Sequence, residues 1–498
     1  MSNVFLNTMK ASQNYGLTEN GAVTYRSTLN GVMDMFALGG AYRKRSEDDV
    51  WVLFRKAWKE DQNLAMKCLF YLRDCRGGQG ERRFFRVIMH EMMVGGGPYH
   101  KAVSAVIGLI PEFGRWDDLI YTAYDTPYWG AAMEIVKYQL RKDLNGLMKP
   151  NEGISLLGKW LPSENASSHT TTKMGAAVRQ YLGLSHKGYR KVLSNLRARI
   201  NVLERLMSAQ KWDDIHFDAV PSKAGLKYRN AFAHNEFLAA RYEAFMKSKE
   251  TKVNAGVLNP VDIAHQIFSS RGADQTARNA WQKYWDNLPD YYNGRQENGI
   301  CVVDVSGSMW GTPMEAAISL GAYIADKADG PFKNHFITFS STPDLVEFEG
   351  RDIYDKFTRA QRANWGGSTN IEATMDLILS TCERARCAMP DRLYIFTDME
   401  FNSAVGYYGY YNRNRDWSTP ETLFEKIERK FNAHGYKMPQ VVFWNLDARQ
   451  DTIPAIGGRY SYVSGFNPSM VECILSGKTG WDLCLEKLLS ERYKAIHA

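Results

Sequence analysis

The stretch "ICVVDVSGSM", Ile300 to Met309, decides the reading of this chain. Four apolar residues, Ile300 to Val303, have the continuous hydrophobicity of a strand buried on both faces. The run ends in Asp304, and Ser306 and Ser308 follow at alternate positions. One reading is a strand-to-helix turn in which a serine caps the next helix. The other is a set of oxygens gathered at the end of a strand.

The rest of the C-terminal part favours the second reading. "PMEAAISLGAYIADKA" reads as a helix that Pro313 can start, and "NHFITFS" and "DLVEFEG" read as strands. Helices are expected from about Asp352 and about Asn370, then the strand "RLYIFTD". A helix in "PETLFEKIERKFNAHG", the strand "QVVFWNL" and a last helix in "GWDLCLEKLLSERYKAI" follow. Strands alternating with helices of this length predict an α/β, doubly wound, mostly parallel sheet. Ligands of such sheets sit beyond the carboxyl ends of the strands, which places Asp304 and Asp398 on one rim. "WGGSTN" adds the Thr369 hydroxyl, with Ser368 as the alternative. Two carboxylates with three hydroxyls suit a hard, oxygen-seeking divalent cation, Mg²⁺ or Mn²⁺.

This constellation resembles the metal-ion-dependent adhesion site of von Willebrand factor A domains, over roughly residues 298–498. The resemblance implies that Asp304, Ser306, Ser308, Thr369 and Asp398 hold the metal directly or through water. It also implies that a protein partner adds a carboxylate. "VSGSM" lacks the first and last glycines of a nucleophile elbow, so no catalytic residue is assigned and no enzyme activity is expected. After Asp398, "MEFNSAVGYYGYYNRNRDWSTP" has neither strand nor helix periodicity. Its Tyr407, Tyr408, Tyr410, Tyr411, Arg413, Arg415 and Trp417 form a candidate partner-binding loop.

The 498 residues exceed one compact core. Residues 1–300 hold 41 Lys and Arg against 30 Asp and Glu, a net +11, and residues 301–498 hold 21 against 25, a net −4. The polar stretch "DYYNGRQENG" falls at this break, which predicts a domain over 1–290, a linker over 291–298 and a second domain over 299–498. The first domain shows helical periodicity almost throughout, and "FGRWDDLI" and "AQKWDDIH" hint at a HEAT-like helical repeat. Seven cysteines with no C-x-x-C pair, no signal-peptide layout and no apolar run of membrane-spanning length predict a soluble cytoplasmic protein with reduced thiols, Cys382 and Cys387 among the buried ones.

From Asn165 to Leu203 there is no acidic residue, but Lys173, Arg179, Lys187, Arg190, Lys191, Arg197 and Arg199 all occur. Tyr189, Val192, Leu193, Leu196, Ile200 and Leu203 make an apolar helical stripe, and Lys187, Arg190, Lys191 and Arg197 fall mainly off it. A cationic helix face without acids is a candidate RNA-binding surface. The order of a basic helical region before a metal-site A domain resembles the Ro autoantigen family, whose TROVE module binds small and misfolded RNAs. "CRGGQGERR", "KWLPSENA", "DVSGSM", "WGGSTN" and "FTDMEF" are similar to an uncharacterised family of the same layout. The resemblance implies a non-enzymatic RNA-binding scaffold, a ribonucleoprotein component. The alternative is a protein-protein assembly component that binds no RNA.

Overall fold

The computed structural model describes residues 9–10, 13–149, 152–339, 342–362, 370–402 and 421–498. The chain forms two compact units: Met1–Cys68 with Leu258–Arg492, and Leu69–Val257 with Tyr493–Ala498.

The first unit is built on a six-stranded sheet. After a short antiparallel hairpin, β1 (Tyr15–Leu17) and β2 (Val23–Tyr25), come β3 (Gly299–Asp304), β4 (His335–Phe339), β5 (Leu345–Glu347), β6 (Arg392–Thr397), β7 (Gln440–Asn445) and β8 (Tyr460–Ser464). Their order across the sheet is β5-β4-β3-β6-β7-β8, all parallel except the antiparallel edge strand β5. Every residue of β3 is buried, as the unbroken apolar run predicts for a strand covered on both faces. One cover is the Thr312–Lys327 helix, which has Pro313 in its first turn. It lies so close that a Cβ on Gly321 would stand 2.5 Å from Cγ2 of Val303, which makes glycine necessary there. Asp352 and Asn370 cap the helices Ile353–Ala360 and Ile371–Ala385 through their side chains.

The boundary drawn from sequence at 290–299 does not match the division into units. Residues before Leu69 fold with the sheet because the hairpin and the Gly31–Leu38 helix attach to its far strands. Tyr25 and Ile453 exchange two backbone bonds of 2.9 Å, and the Ser464 hydroxyl on β8 donates to Phe36 O at 2.8 Å. The helices Pro260–Phe268 and Gln275–Asp286 also belong to this unit. Cys382 is buried as expected, but Cys387 is exposed.

The second unit is helical. Here the two Trp-Asp-Asp phrases have different structures. Trp116 opens the Trp116–Ala123 helix, and Asp118, fully buried, accepts from Arg115 N at 2.9 Å, Arg73 Nε at 2.9 Å and Arg86 Nε at 2.6 Å. The second copy is a turn, in which Arg241 donates to the carbonyls of Trp212 and Ile215. The two copies therefore do not define a repeating helical unit. This unit carries 29 Lys and Arg against 18 Asp and Glu, a net +11, so the positive excess of the chain resides in it. Among the described residues no helix is long and apolar enough to cross a membrane.

Candidate functional site

Strand order reverses between β3 and β6: the chain winds from β3 to β4 on one side, and from β6 outward to β7 and β8 on the other. Their carboxyl ends diverge into loops there, which leaves the crevice where such sheets bind ligands. Asp304 ends β3, and Asp398 directly follows β6.

Both carboxylates are buried, at 0% and 1% exposure. Asp304 accepts Ser306 N on Oδ1 at 2.9 Å and the Thr397 hydroxyl on Oδ2 at 2.6 Å. Thr397 is itself held, since Met399 N donates to its Oγ1 at 3.1 Å. Met399 has φ of 69°, a left-handed residue where β6 leaves the sheet. Ser306 and Ser308 place their hydroxyls 3.0 Å apart, which gathers the D-x-S-x-S oxygens at one place. Asp398 accepts Glu400 N on Oδ1 at 3.2 Å, whereas its Oδ2 is buried without a hydrogen-bond partner.

Burial, and then the charge of Asp398, pushes the Asp304 carboxyl well above its ordinary value. Burial raises Asp398 too, against the opposing pull of Ser308, the Glu400 N–H and Arg449. The donor set fits a small hard dication. Two poorly solvated carboxylates, one with an orphaned oxygen, and two adjacent hydroxyls are what such an ion would satisfy. Asp304, Ser306, Ser308 and Asp398 would hold it. It would leave an electrophilic position for a carboxylate or phosphate oxygen. Among the described residues there is no cluster of three or more His, Cys, Asp or Glu with metal-binding arrangement, so any site here depends on the serine hydroxyls. Thr369, its alternative Ser368, and the loop residues Tyr407, Tyr408, Tyr410, Tyr411, Arg413, Arg415 and Trp417 lie outside the described residues.

Sequence reasoning missed the surroundings of this rim. Glu400 is buried and pushed up to about 7 by burial; its Oε2 accepts Glu19 N at 2.6 Å, and Asn20 Nδ2 donates to its carbonyl at 2.6 Å. Asp447, just beyond β7, pairs with Lys44 at 2.6 Å. Arg449 pairs with Glu19 at 3.0 Å and donates to Ser308 O at 3.3 Å. The available signal was position: Glu400, Asp447 and Arg449 all follow the carboxyl ends of strands.

The basic stretch divides into two groups. Lys187, Arg190 and Lys191 are exposed on the His186–Arg199 helix, whose Tyr189, Leu193 and Leu196 are buried, and Lys173 is exposed on the His169–Tyr181 helix. The other three guanidiniums hold the fold. Arg179 pairs with Glu164 at 2.7 Å, and Arg199 donates to the carbonyls of Lys149 and Glu152, each at 2.9 Å. Arg197 faces inward and donates to Gly158 O at 2.9 Å, Leu161 O at 3.0 Å and Ser163 Oγ at 3.0 Å. A helix of 3.6 residues per turn carries Arg197 toward the buried stripe of Leu193 and Leu196.

Residues 298–491 match the family described as "Domain of unknown function (DUF7788)", and residues 18–92 and 133–290 match "Domain of unknown function (DUF2828)". An uncharacterized protein of Acanthamoeba polyphaga mimivirus is 33% identical over 505 residues, which cover 93% of this chain and 85% of that protein. The crystal structure of the Deinococcus radiodurans RO (RSR) protein is similar with a TM-score of 0.47 and 13% sequence identity, over 93% of this chain and 99% of that one.

Proposed function

Because the chain belongs to the same family as the uncharacterized mimivirus protein, whose name assigns no activity, we propose a function from its own residues: a non-enzymatic RNA-binding scaffold with a divalent-cation site. In this reading the helical unit grips RNA, and the rim at Asp304 and Asp398 recruits an acidic ligand through Mg²⁺ or Mn²⁺. The observation that carries it is the exposed set Lys173, Lys187, Arg190 and Lys191, in a segment without an acid from Asn165 to Leu203 and in the unit with net +11. A solvated helix face ordinarily mixes signs; this one does not. Each cation on a phosphate releases condensed counterions, so affinity should fall steeply with salt. At the rim, ligands that are mostly neutral hydroxyls leave a dication under-neutralised, which favours capture of an anion over turnover.

The test is anisotropy of a labelled single-stranded oligoribonucleotide across a salt series. Replacing Lys187, Arg190 and Lys191 together by glutamine keeps helix propensity and deletes charge. Binding should weaken, and the slope of log affinity against log salt should flatten by about two, at about 0.7 per lost phosphate contact on a single strand. Unchanged affinity and slope would reject the RNA reading in favour of a protein-assembly component.

A further inference from the structure

The helical unit contains a cavity of about 330 Å³ walled by parts of the Arg82–Gly95, Trp116–Ala123 and His169–Tyr181 helices, the 159–163 segment and Arg197. That is at the small end of the range for ligand sites. Three features of its wall are unusual together. The first is positive charge, on Arg197 and Lys159, that no carboxylate pairs among the described residues. All the acceptors of Arg197 described above are neutral, and burial lowers its pKa, the mark of a poorly solvated cation. Lys159 lies 5.4 Å from the centre of the Trp160 ring, and among the described residues it is in no ion pair. Arg115, which does not line the cavity, packs over the same ring at 4.4 Å; burial lowers its pKa against the pull of Asp117.

The second feature is an acceptor without a donor. Asp117 uses Oδ2 to take Arg86 at 2.8 Å, and its Oδ1 is buried with no hydrogen-bond partner. The third is aromatic surface from Trp160 and from Tyr121, which Arg86 overlies at 4.5 Å.

These features exclude simple occupants. A bare inorganic anion would meet the cations but be repelled by the orphaned carboxylate oxygen. An apolar molecule would leave both the Asp117 oxygen and the Arg197 charge uncompensated. A nucleotide answers all three: its phosphate suits the cations, its base the aromatic rings, and a base N–H the Asp117 oxygen. We propose that this cavity holds one unstacked nucleotide of a single-stranded RNA, with a base that presents an exocyclic amino group to Asp117. The proposal rests on the RNA-binding reading and places that RNA. Helix His169–Tyr181 lines the cavity through Thr171 and Met174 and exposes Lys173; helix His186–Arg199 contributes Arg197 and exposes Lys187, Arg190 and Lys191. A strand following the exposed cations therefore passes a recess able to take a base. Cytosine and adenine offer an amino donor to a carboxylate, whereas uracil offers one imide N–H flanked by two carbonyls that the carboxylate repels.

The test separates the cavity from the charge. Ala166→Phe fills the recess, which Ala166 lines, and removes no cation. A folded variant, checked by its melting curve, should bind oligocytidylate about ten-fold more weakly, as for loss of one stacked base, with an unchanged salt slope. Oligouridylate should be nearly indifferent. If Ala166→Phe fails to fold, Tyr121→Ala serves, because that side chain is exposed on the rim, and the same ten-fold loss is expected. Photocrosslinking of iodocytidine-substituted RNA should mark peptides containing Tyr121 or Trp160. Equal affinities in the folded variants, with crosslinks elsewhere, would overturn the cavity assignment and leave RNA binding standing. Should the wild-type chain bind no RNA, the RNA-binding reading and the strand both fall. Cytidine monophosphate then decides the cavity: heat of binding lost in Ala166→Phe keeps it as a nucleotide site, and no heat removes that too.

Discussion

Replacing Asp304 by asparagine should make the sheet unit insensitive to Mg²⁺ without unfolding it. In Asp304→Asn the amide oxygen still accepts from Ser306 N, and the amide NH₂ can donate to the Thr397 hydroxyl oxygen, so neither bond of the buried turn need be lost. What disappears is one of two buried negative charges. Asp304 has its folded pKa raised above the unfolded value, so its ionised form costs stability. That cost is absent below the unfolded carboxyl pKa and grows as pH rises through the folded value, at about 1.4 kcal/mol for each unit of elevation. At neutral pH the metal-free variant should therefore melt no lower than wild type. A cation that binds only the folded wild type at about ten times its Kd adds about 1.4 kcal/mol, by mass action. For a domain of this size that raises Tm by about 2–4 °C. Calorimetric titration with Mg²⁺ and scanning calorimetry with and without it measure both quantities. Equal heats and equal Tm shifts in wild type and Asp304→Asn would refute a site built on this carboxylate.

Two further outcomes concern the helical unit. Arg197→Gln should lower its stability by roughly 2–4 kcal/mol, because three part-buried acceptors lose a charged donor, and should flatten the salt slope of RNA binding by at most about 0.7, the share of one phosphate contact; an unchanged melt would show that these bonds do not hold the fold. Burial pushes the Glu164 carboxyl up, but Arg179 and His186 outweigh it and hold the group below its ordinary value. Wild type should thus be more stable than Glu164→Gln above the unfolded carboxyl pKa, and that advantage should shrink as pH falls through the folded value. A difference that persists in acid would assign the effect to packing.

The sheet was legible because its local signals agree. β3, β6 and β7 are unbroken apolar runs, and Asp352 and Asn370 sit where a cap is needed. β8 was missed because "YSYVS" mixes serine with aromatic and aliphatic residues; its two serines are buried with partners that sequence does not show, Ser464 on Phe36 O and Gly40 N, and Ser461 on Gly480 N. The attachment of residues before Leu69 to the sheet was invisible for a related reason: pairs such as Tyr25 with Ile453 are backbone bonds between residues hundreds of positions apart, which no periodicity encodes. The basic segment misled in a subtler way. Charge counts treat Lys187 and Arg197 alike, yet a guanidinium can turn inward wherever three carbonyl or hydroxyl oxygens present themselves, and only the fold brings Gly158, Leu161 and Ser163 there.

The rim shows how the chain distributes its compensation. Four carboxylates crowd the carboxyl ends of β3, β6 and β7: Asp304, Asp398, Glu400 and Asp447, all buried. Asp447 has the Lys44 ammonium, and Glu400 has the Glu19 N–H and the Thr452 hydroxyl at 3.3 Å. Arg449, the other cation at hand, is occupied by Glu19 and the Ser308 carbonyl. Among the described residues Asp304 and Asp398 are in no ion pair, and their hydrogen bonds come from backbone N–H and hydroxyl groups. Among the described residues three of these acids, Asp304, Asp398 and Glu400, are thus in no ion pair, and two of them, Asp304 and Asp398, flank the switch point beside the two serine hydroxyls. Two buried carboxyls at the switch point, one with an orphaned oxygen, beside two adjacent serine hydroxyls are the physical ground for expecting Mg²⁺ there.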